Sequence, residues 1–195
     1  LGLLAGQRID HEHEWFFALA ASGARGDDLY FPEFDNGTRD GWARGLDGEA
    51  YQKAYGKLRF GNWRFSANLS SRDKNLPNAP YLTAFGEPGT HTVDQHALME
   101  LAYDSELSEG LQQQFRLFSG SYRYDGSYRY ADALDNLDQG RANWVGGDYR
   151  LIMTTLPAHK LMLGIETQWN TLLEQRNFDV FPATSYLERI GISTT

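Results

Sequence analysis

The sequence predicts an all-β chain folded as an antiparallel up-and-down meander of about eight long strands. Apolar and polar residues alternate over long windows, and no useful window shows the 3.6-residue period of a helix. Short turns recur near residues 11, 61, 109 and 157. Aromatic residues make up 14% of the 195 residues, beside 20 glycines and only 6 prolines. This is the composition of strands joined by tight turns.

The chain is predicted to begin with two strands. Residues 1–9 alternate weakly and should form the first, followed by a short polar turn over 10–14. Residues 15–25 alternate more clearly and should form the second. A long loop rich in Gly and Asp is expected over 26–49.

The clearest element is a hairpin with arms over 50–60 and 63–74 that turns at Gly61 and Asn62. A Gly-Asn pair suits a two-residue type II′ turn, in which glycine supplies the positive φ. The resulting register separates an apolar face from a polar, basic one. The expected pairs are Phe60 with Trp63, Leu58 with Phe65, Gly56 with Ala67 and Ala54 with Leu69 on the apolar face, and Arg59 with Arg64, Lys57 with Ser66 and Tyr55 with Asn68 on the other.

A second hairpin is predicted after a long loop over 75–94. Its strands cover 97–107 and 111–124, and the three-residue turn between them ends at Gly110, which is expected in the left-handed region. The expected apolar pairs are Leu107 with Leu111, Tyr103 with Phe115, and Leu101 with Leu117.

A third hairpin is predicted after a loop over 125–140. The alternation over 145–153 returns over 161–169, with a turn at 156–158 between them. After Asn177 the alternation fades, so no further strand is predicted.

Composition excludes several classes of function. The net formal charge of −8 and the pI near 5.1 would repel phosphates, so no nucleic-acid partner is expected. The absence of cysteine excludes disulfides, Cys-ligated zinc and thiol catalysis. No apolar run is long enough for a transmembrane helix, and no signal peptide opens the chain, which begins at Leu1. A piece of a longer protein is therefore expected, with residues 1–195 in one domain.

Few residues suggest chemistry. His11 and His13 would share a face of a strand and could chelate a metal, but a polar turn explains them better. Asp148 and Glu166 should lie opposite each other across the third hairpin, yet no nucleophile-elbow motif accompanies them. No enzymatic activity, cofactor or metal is therefore expected.

Three features favour a transmembrane β-barrel with the apolar face outside. The strands match the roughly 10 residues of a tilted spanning strand. Short turns alternate with long loops, as periplasmic turns alternate with extracellular loops in such barrels, and aromatics lie toward strand ends. The loops at 26–49, 75–94 and 125–140 should therefore be extracellular. The turns at Gly61, Glu109 and Pro157 should be periplasmic.

Two other architectures share the same alternation. A soluble up-and-down β-barrel would enclose a ligand with its apolar face, and an enzyme on a small outer-membrane barrel is the third and weakest interpretation.

If the chain is part of a membrane barrel, the lipid-facing residues are expected to be Phe17, Leu19, Leu58, Phe65, Leu69, Met99, Leu101, Phe115, Leu117, Leu151, Leu163 and Ile165.

The opposite face should line the lumen. Its small residues cannot fill an eight-stranded barrel, so the chain should be a segment of a wider one. Arg59 and Arg64 should repel each other beside the turn, and carboxylates of the next strand should relieve this. The small residues are Gly56, Ala102, Gly120, Gly146 and Gly164, and the expected ion-pair cluster is Arg59, Arg64, Asp104 and Glu106.

One stretch points to a family. Residues 70–104, SSRDKNLPNAPYLTAFGEPGTHTVDQHALMELAYD, contain a strand ending in a polar Arg-Lys stretch, a Pro-containing loop and a Thr-Val-Asp start to the next strand. This arrangement resembles barrel segments of TonB-dependent outer-membrane receptors. Residues 47–69, DGEAYQKAYGKLRFGNWRFSANL, are similar to their early barrel strands. The resemblance covers residues 12–179.

The resemblance implies a location in the bacterial cell outer membrane and a 22-stranded barrel. It also implies an N-terminal plug domain and import of siderophores, cobalamin or other scarce ligands, energised by the TonB complex through the plug. The sequence contains no plug, no energy-coupling box and no final strand ending in an aromatic residue. The expected partners are therefore outer-membrane lipid, the plug of the same protein, the TonB complex and a small ligand.

Overall fold

The computed structural model describes residues 1–131, 134–156, 158–180 and 186–194. Within them, the regular elements are eleven strands and a short 3₁₀ helix over Pro80–Leu82. The strands are β1 Gly2–Arg8, β2 His13–Ala24, β3 Leu29–Asp35, β4 Asp40–Ala43, β5 Glu49–Phe60, β6 Trp63–Asn75, β7 His91–Ser108, β8 Leu111–Arg129, β9 Asp135–Met153, β10 Leu161–Val180 and β11 Tyr186–Thr194.

Nine of these strands form one antiparallel sheet in the order β1-β2-β5-β6-β7-β8-β9-β10-β11, and β3 pairs with β4 in a separate two-stranded sheet. The all-β up-and-down meander is thereby confirmed. β11 had not been predicted, because its residues show no clear alternation. Within the described residues β1 and β11 each pair with one neighbour, so the sheet is open.

The register of the β5–β6 hairpin is the one predicted, pair for pair. Gly61 has a φ of 56°, whereas Asn62 is not among the residues with positive φ, as a type II′ turn requires. The turn therefore fixes the register, and the register fixes which side chains share a face.

Replacing Gly61 by Ala should cost about 1 kcal/mol of folding free energy. A side chain at Gly61 would meet no atom within 4 Å, so the cost comes from the left-handed backbone alone. Asn62→Ala is the control: it removes a side-chain hydrogen bond with Tyr103 but leaves the glycine in the turn, so it should cost about 0.5 kcal/mol, less than Gly61→Ala. Urea unfolding in detergent micelles measures both, and an equal cost for the two variants would argue against this turn type.

The other two hairpins agree with the sequence except at one residue. Tyr103 lies opposite Phe115, but a bulge after Glu106 brings Ser108 rather than Leu107 opposite Leu111. Gly110 has a φ of 70°, as expected. The β9–β10 pairs follow the predicted register up to a bulge beyond Asn170.

Two predicted loops contain strands. The loop at 26–49 contains β3 and β4. Most of the stretch 125–140 is strand, because β8 and β9 stay paired as far as Arg129 and Asp135. Both faces of these strand ends are polar, which removes the period-two pattern while the backbone ladder continues. The loop at 75–94 is shorter than predicted, since β7 begins at His91, and Pro157 lies outside the described residues.

The strands lengthen along the chain. β5 and β6 have 12 and 13 residues, whereas β7 to β10 have 18 to 20. Relative to β6, β7 gains residues 104–108 at the short-turn end, and β8 extends past β7 by residues 128 and 129 at the opposite end, hereafter the outer end. There Arg123, Asp125 and Arg141 form ion pairs at 2.6–2.7 Å on the same face as the apolar residues nearer the turns.

The two faces of the sheet differ in chemistry and in exposure. All the residues predicted to face lipid lie on one face, the apolar face. Their side chains are largely uncovered, with Met99 at 49% and Leu117 at 46% exposure. On the opposite, polar face Ala102 is 4% and Asp148 6% exposed. The polar face is therefore the enclosed one, which indicates a sheet curved toward it.

No large side chain among the described residues is fully buried, so the sheet has no conventional core. Gly56, expected on the lumen side, lies instead on the apolar face, opposite Ala67 and against the ring of Phe17. The other small residues expected there, Ala102, Gly120, Gly146 and Gly164, lie on the polar face as predicted.

Candidate functional site

The polar face places one predicted ion pair near the Gly61 turn. Arg64 Nη2 lies 2.6 Å from Asp104 Oδ2. Arg64 sits directly opposite Ala102, so Asp104 lies one row away on the diagonal. Arg59 instead donates from Nε to the Gly61 carbonyl at 3.4 Å. Among the described residues, neither Arg59 nor Glu106 forms an ion pair, so the structure joins two of the four predicted members.

A second cluster lies further along the same face and was not predicted. Arg116 is directly opposite Asp148, and its guanidinium contacts that carboxylate and, at 3.4 Å, the carboxylate of Glu100. Arg150 Nε lies 3.2 Å from the other oxygen of Asp148. The Asp148 side chain is only 5% exposed, so this pairing offsets the desolvation of a nearly buried charge. The available signal was the pair of opposite charges two residues apart on β9, Asp148 and Arg150.

Asp148 and Glu166 lie opposite each other across β9 and β10, as the register predicts. The Asp148 oxygens contact Arg116 and Arg150, whereas Glu166 is exposed. The contacts of Asp148 therefore connect β8 and β9 on the polar face.

A third ion-pair site on the polar face connects β5 with β2. Lys57 Nζ lies 2.6 Å from Glu14 Oε1, with both side chains partly exposed. Exposed pairs of this kind contribute little to stability. Together the three sites connect β2 with β5, and β6 with β7, β8 and β9, on the polar face, so their main effect is on strand register.

The loops at the outer end pack on one another through aromatic rings. Phe34 stacks on Phe85 with ring centroids 4.0 Å apart, and Phe31 meets Phe85 edge-on at 5.7 Å. Phe85 is 5% exposed. The Ala84 N–H donates to the Arg129 carbonyl at 2.8 Å. The β3–β4 hairpin, the loop after β6 and the end of β8 therefore form one packed unit.

Ionisable groups at the outer end are shifted in definite directions. Burial, with the Tyr128 hydroxyl 2.6 Å away, raises the pKa of Tyr124. For Asp125, burial opposes ionisation, but hydrogen bonds from Arg141 and Arg123 prevail and hold its pKa below the usual range. Tyr124 is therefore neutral and Asp125 charged at neutral pH.

The two candidate metal ligands do not share a strand. His11 lies in the turn before β2, and His13 begins β2. The His13 ring nitrogen Nδ1 is 2.9 Å from both Asp10 oxygens, and its ring packs edge-on against Phe60 at 4.7 Å. In the described part of the chain, no three His, Asp or Glu side chains converge on a site for a metal ion.

The polar face of β8 and β9 carries a regular pattern that sequence reasoning missed. In four successive cross-strand pairs, one member is aromatic and the other is glycine or alanine. We call the aromatic members the aromatic row. The pairs are Phe118 with Gly146, Trp144 with Gly120, Tyr122 with Ala142, and Tyr124 with Gly140. The sequence does contain a signal for this pattern, because aromatic and small residues occupy every second position in this part of both strands.

Comparison with known proteins adds no relationship: the chain matches no protein-family model, no curated protein and no solved structure. Among the described residues, no helix combines the length and apolar character needed to cross a membrane.

Proposed function

We propose that the chain forms part of the wall of a bacterial outer-membrane β-barrel, with its apolar face in lipid and its polar face toward the lumen. The main support for the proposal is that the two faces of the sheet differ both in polarity and in exposure. The apolar face is the exposed one, and the ion-paired polar face is the enclosed one. A large uncovered apolar surface needs an apolar partner, and here it spans several strands.

The height of the apolar face supports this proposal. On β9 it runs from Val145 to Met153, and on β10 from Leu161 to Trp169. Nine residues at ~3.3 Å each span about 30 Å. A tilt of about 40° reduces this to about 23 Å, close to the ~25 Å apolar band of outer-membrane barrels. The charged outer end of the strands would then stand above the lipid.

The alternative, a soluble up-and-down barrel, needs the opposite curvature. Its apolar face would be enclosed and its polar face would meet water. The nearly buried Asp148 and the 46% exposure of Leu117, which has a paired strand on either side, disfavour that arrangement.

Within this class we propose a TonB-dependent receptor that takes up a scarce small ligand, with a plug domain and the TonB complex as partners. The resemblance of residues 47–69 and 70–104 to segments of that family supports the narrower proposal. The open sheet supports it too, because β1 and β11 each offer a backbone edge to further strands. No catalytic role is proposed.

Detergent dependence tests the membrane assignment. The chain should refold to a β circular-dichroism spectrum in micelles or lipid vesicles and should aggregate in plain buffer. A folded monomer in plain buffer would contradict the lipid-facing assignment.

Sidedness can be tested by single cysteines, because the chain has none of its own. Thr38→Cys lies between β3 and β4 at the outer end, and Asn62→Cys lies in the β5–β6 turn at the other. A membrane-impermeant maleimide should label only Thr38→Cys in intact cells, and both variants after lysis. Labelling of Asn62→Cys alone would reverse the proposed orientation.

A further inference from the structure

The aromatic row continues past the end of the paired small residues. Tyr124 and Tyr128 share a hydroxyl contact of 2.6 Å, and Tyr128 meets Tyr81 edge-on at 5.5 Å. Tyr81 lies in the loop after β6 and is 75% exposed. Aromatic rings therefore run from the exposed loop at the outer end down the polar face to Phe118. At ~3.3 Å per residue, the β8 part alone is about 33 Å long.

Two rings of the row occupy the space above glycines of the neighbouring strand. A Cβ on Gly120 would be 2.1 Å from Trp144 Cε2 and Cζ2. A Cβ on Gly146 would be 2.3 Å from Phe118 Cζ. The rings of Trp144 and Phe118 therefore pack against the main chain, and the Arg116 guanidinium lies over the Phe118 ring at 4.9 Å from its centroid. Phe118 and Trp144 are half-buried, and Tyr122 is 37% exposed.

Neutral and acidic polar groups lie beside Tyr122 and Trp144, and the one ring of the row with a guanidinium over it is Phe118 among the described residues. The Tyr122 hydroxyl donates to Asp94 Oδ1 at 2.5 Å, and the His96 ring lies 6.0 Å from Trp144. Asp138 is directly opposite Gly126 on the same face. At the inner end Arg116 is already held by two carboxylates. An anionic ligand beside Tyr122 or Gly126 would thus meet the carboxylates of Asp94 and Asp138.

We propose that the aromatic row binds a neutral, linear oligosaccharide along the polar face; this rests on the proposed function, in which that face lines the lumen. Flat aromatic rings stack on the apolar C–H faces of sugar rings, while nearby hydroxyl and carboxylate groups hydrogen-bond to sugar hydroxyls. The rings are spread in line rather than gathered around one point. A point cation, which requires rings converging on it, fits less well.

The experiment is calorimetric titration of the full chain in a polyoxyethylene detergent, whose headgroup has neither sugar nor charge. The probes are maltohexaose and cellohexaose, with tetramethylammonium and 2,3-dihydroxybenzoate as cationic and anionic comparisons. At least one hexasaccharide should bind saturably, and neither ion should.

Matched variants identify the site. Trp144→Ala and Tyr122→Ala should each weaken hexasaccharide binding about tenfold, equivalent to about 1.4 kcal/mol. Trp169→Ala removes an indole from the opposite face, where it is 70% exposed, and should leave binding unchanged. Tyr122→Phe keeps the ring and should lose less affinity than Tyr122→Ala. Circular dichroism in the same detergent verifies that each variant is folded.

Several results would overturn the inference. These are a folded chain that binds neither hexasaccharide, binding of either ion in place of the sugars, and an equal loss for Trp169→Ala and Trp144→Ala. None of them touches the membrane assignment, which depends on detergent-dependent folding and cysteine labelling. Failure of the saccharide site and failure of the proposed function are therefore separate observations.

Discussion

Leu101→Arg should destabilise the membrane-inserted chain by about 2–4 kcal/mol. Leu101 lies near the middle of the apolar face, between Phe65 and Leu117 on the neighbouring strands. With the apolar face in lipid, as proposed, a guanidinium there cannot reach water without leaving the hydrocarbon region. Urea unfolding in lipid vesicles, followed by tryptophan fluorescence, measures the change.

The matched control is Leu98→Arg, the same substitution on the opposite face of β7. Leu98 lies on the polar face, between Asn68 and Gly120, where an arginine can extend into the proposed lumen. Leu98 is half-buried, so the substitution should cost about 1 kcal/mol, less than Leu101→Arg. If Leu98→Arg were the damaging variant, the assignment of the two faces would be inverted.

Arg116→Met should cost about 1–3 kcal/mol. The variant leaves the nearly buried Asp148 with Arg150 as its only cationic partner among the described residues. Removing one partner of a fully buried pair costs about 3–5 kcal/mol. The expected value is lower, because Arg116 is itself about one-third exposed and Arg150 remains.

Arg44→Met is the control for that variant. Arg44 pairs with Asp40 at 2.6 Å, but both side chains are more than half exposed. Such an exposed pair contributes little to stability and often nothing measurable. Equal destabilisation by the two variants in urea unfolding would mean that the Asp148 cluster has no special structural role.

Local turn chemistry made much of the fold predictable. The Gly61 turn sets the β5–β6 register, and this register carries across β7 to place Arg64 beside Asp104. The alternation of apolar and polar residues predicted which side chains share a face of the sheet wherever one of the two faces is apolar. It failed where both faces are polar, as beyond Tyr124, because strand there depends on neighbouring strands rather than on local pattern.

The unpredicted parts of the site depend on pairs that are distant in the sequence. Trp144 lies over Gly120, and Arg116 meets Asp148 only because β8 and β9 are in one particular register. In the sequence, a glycine such as Gly120 gives no indication of which side chain packs against it. In the structure, its space is occupied by a ring from the next strand.

The strictly sequential order of the main sheet restricts how such a chain can change length in evolution. Every short turn joins strands that run in opposite directions, so the turn-side connections all lie at the same end. Duplication or loss of a whole hairpin preserves the direction and the inward face of every other strand. Loss of a single strand would reverse all those that follow. Relatives of this chain should therefore differ by even numbers of strands.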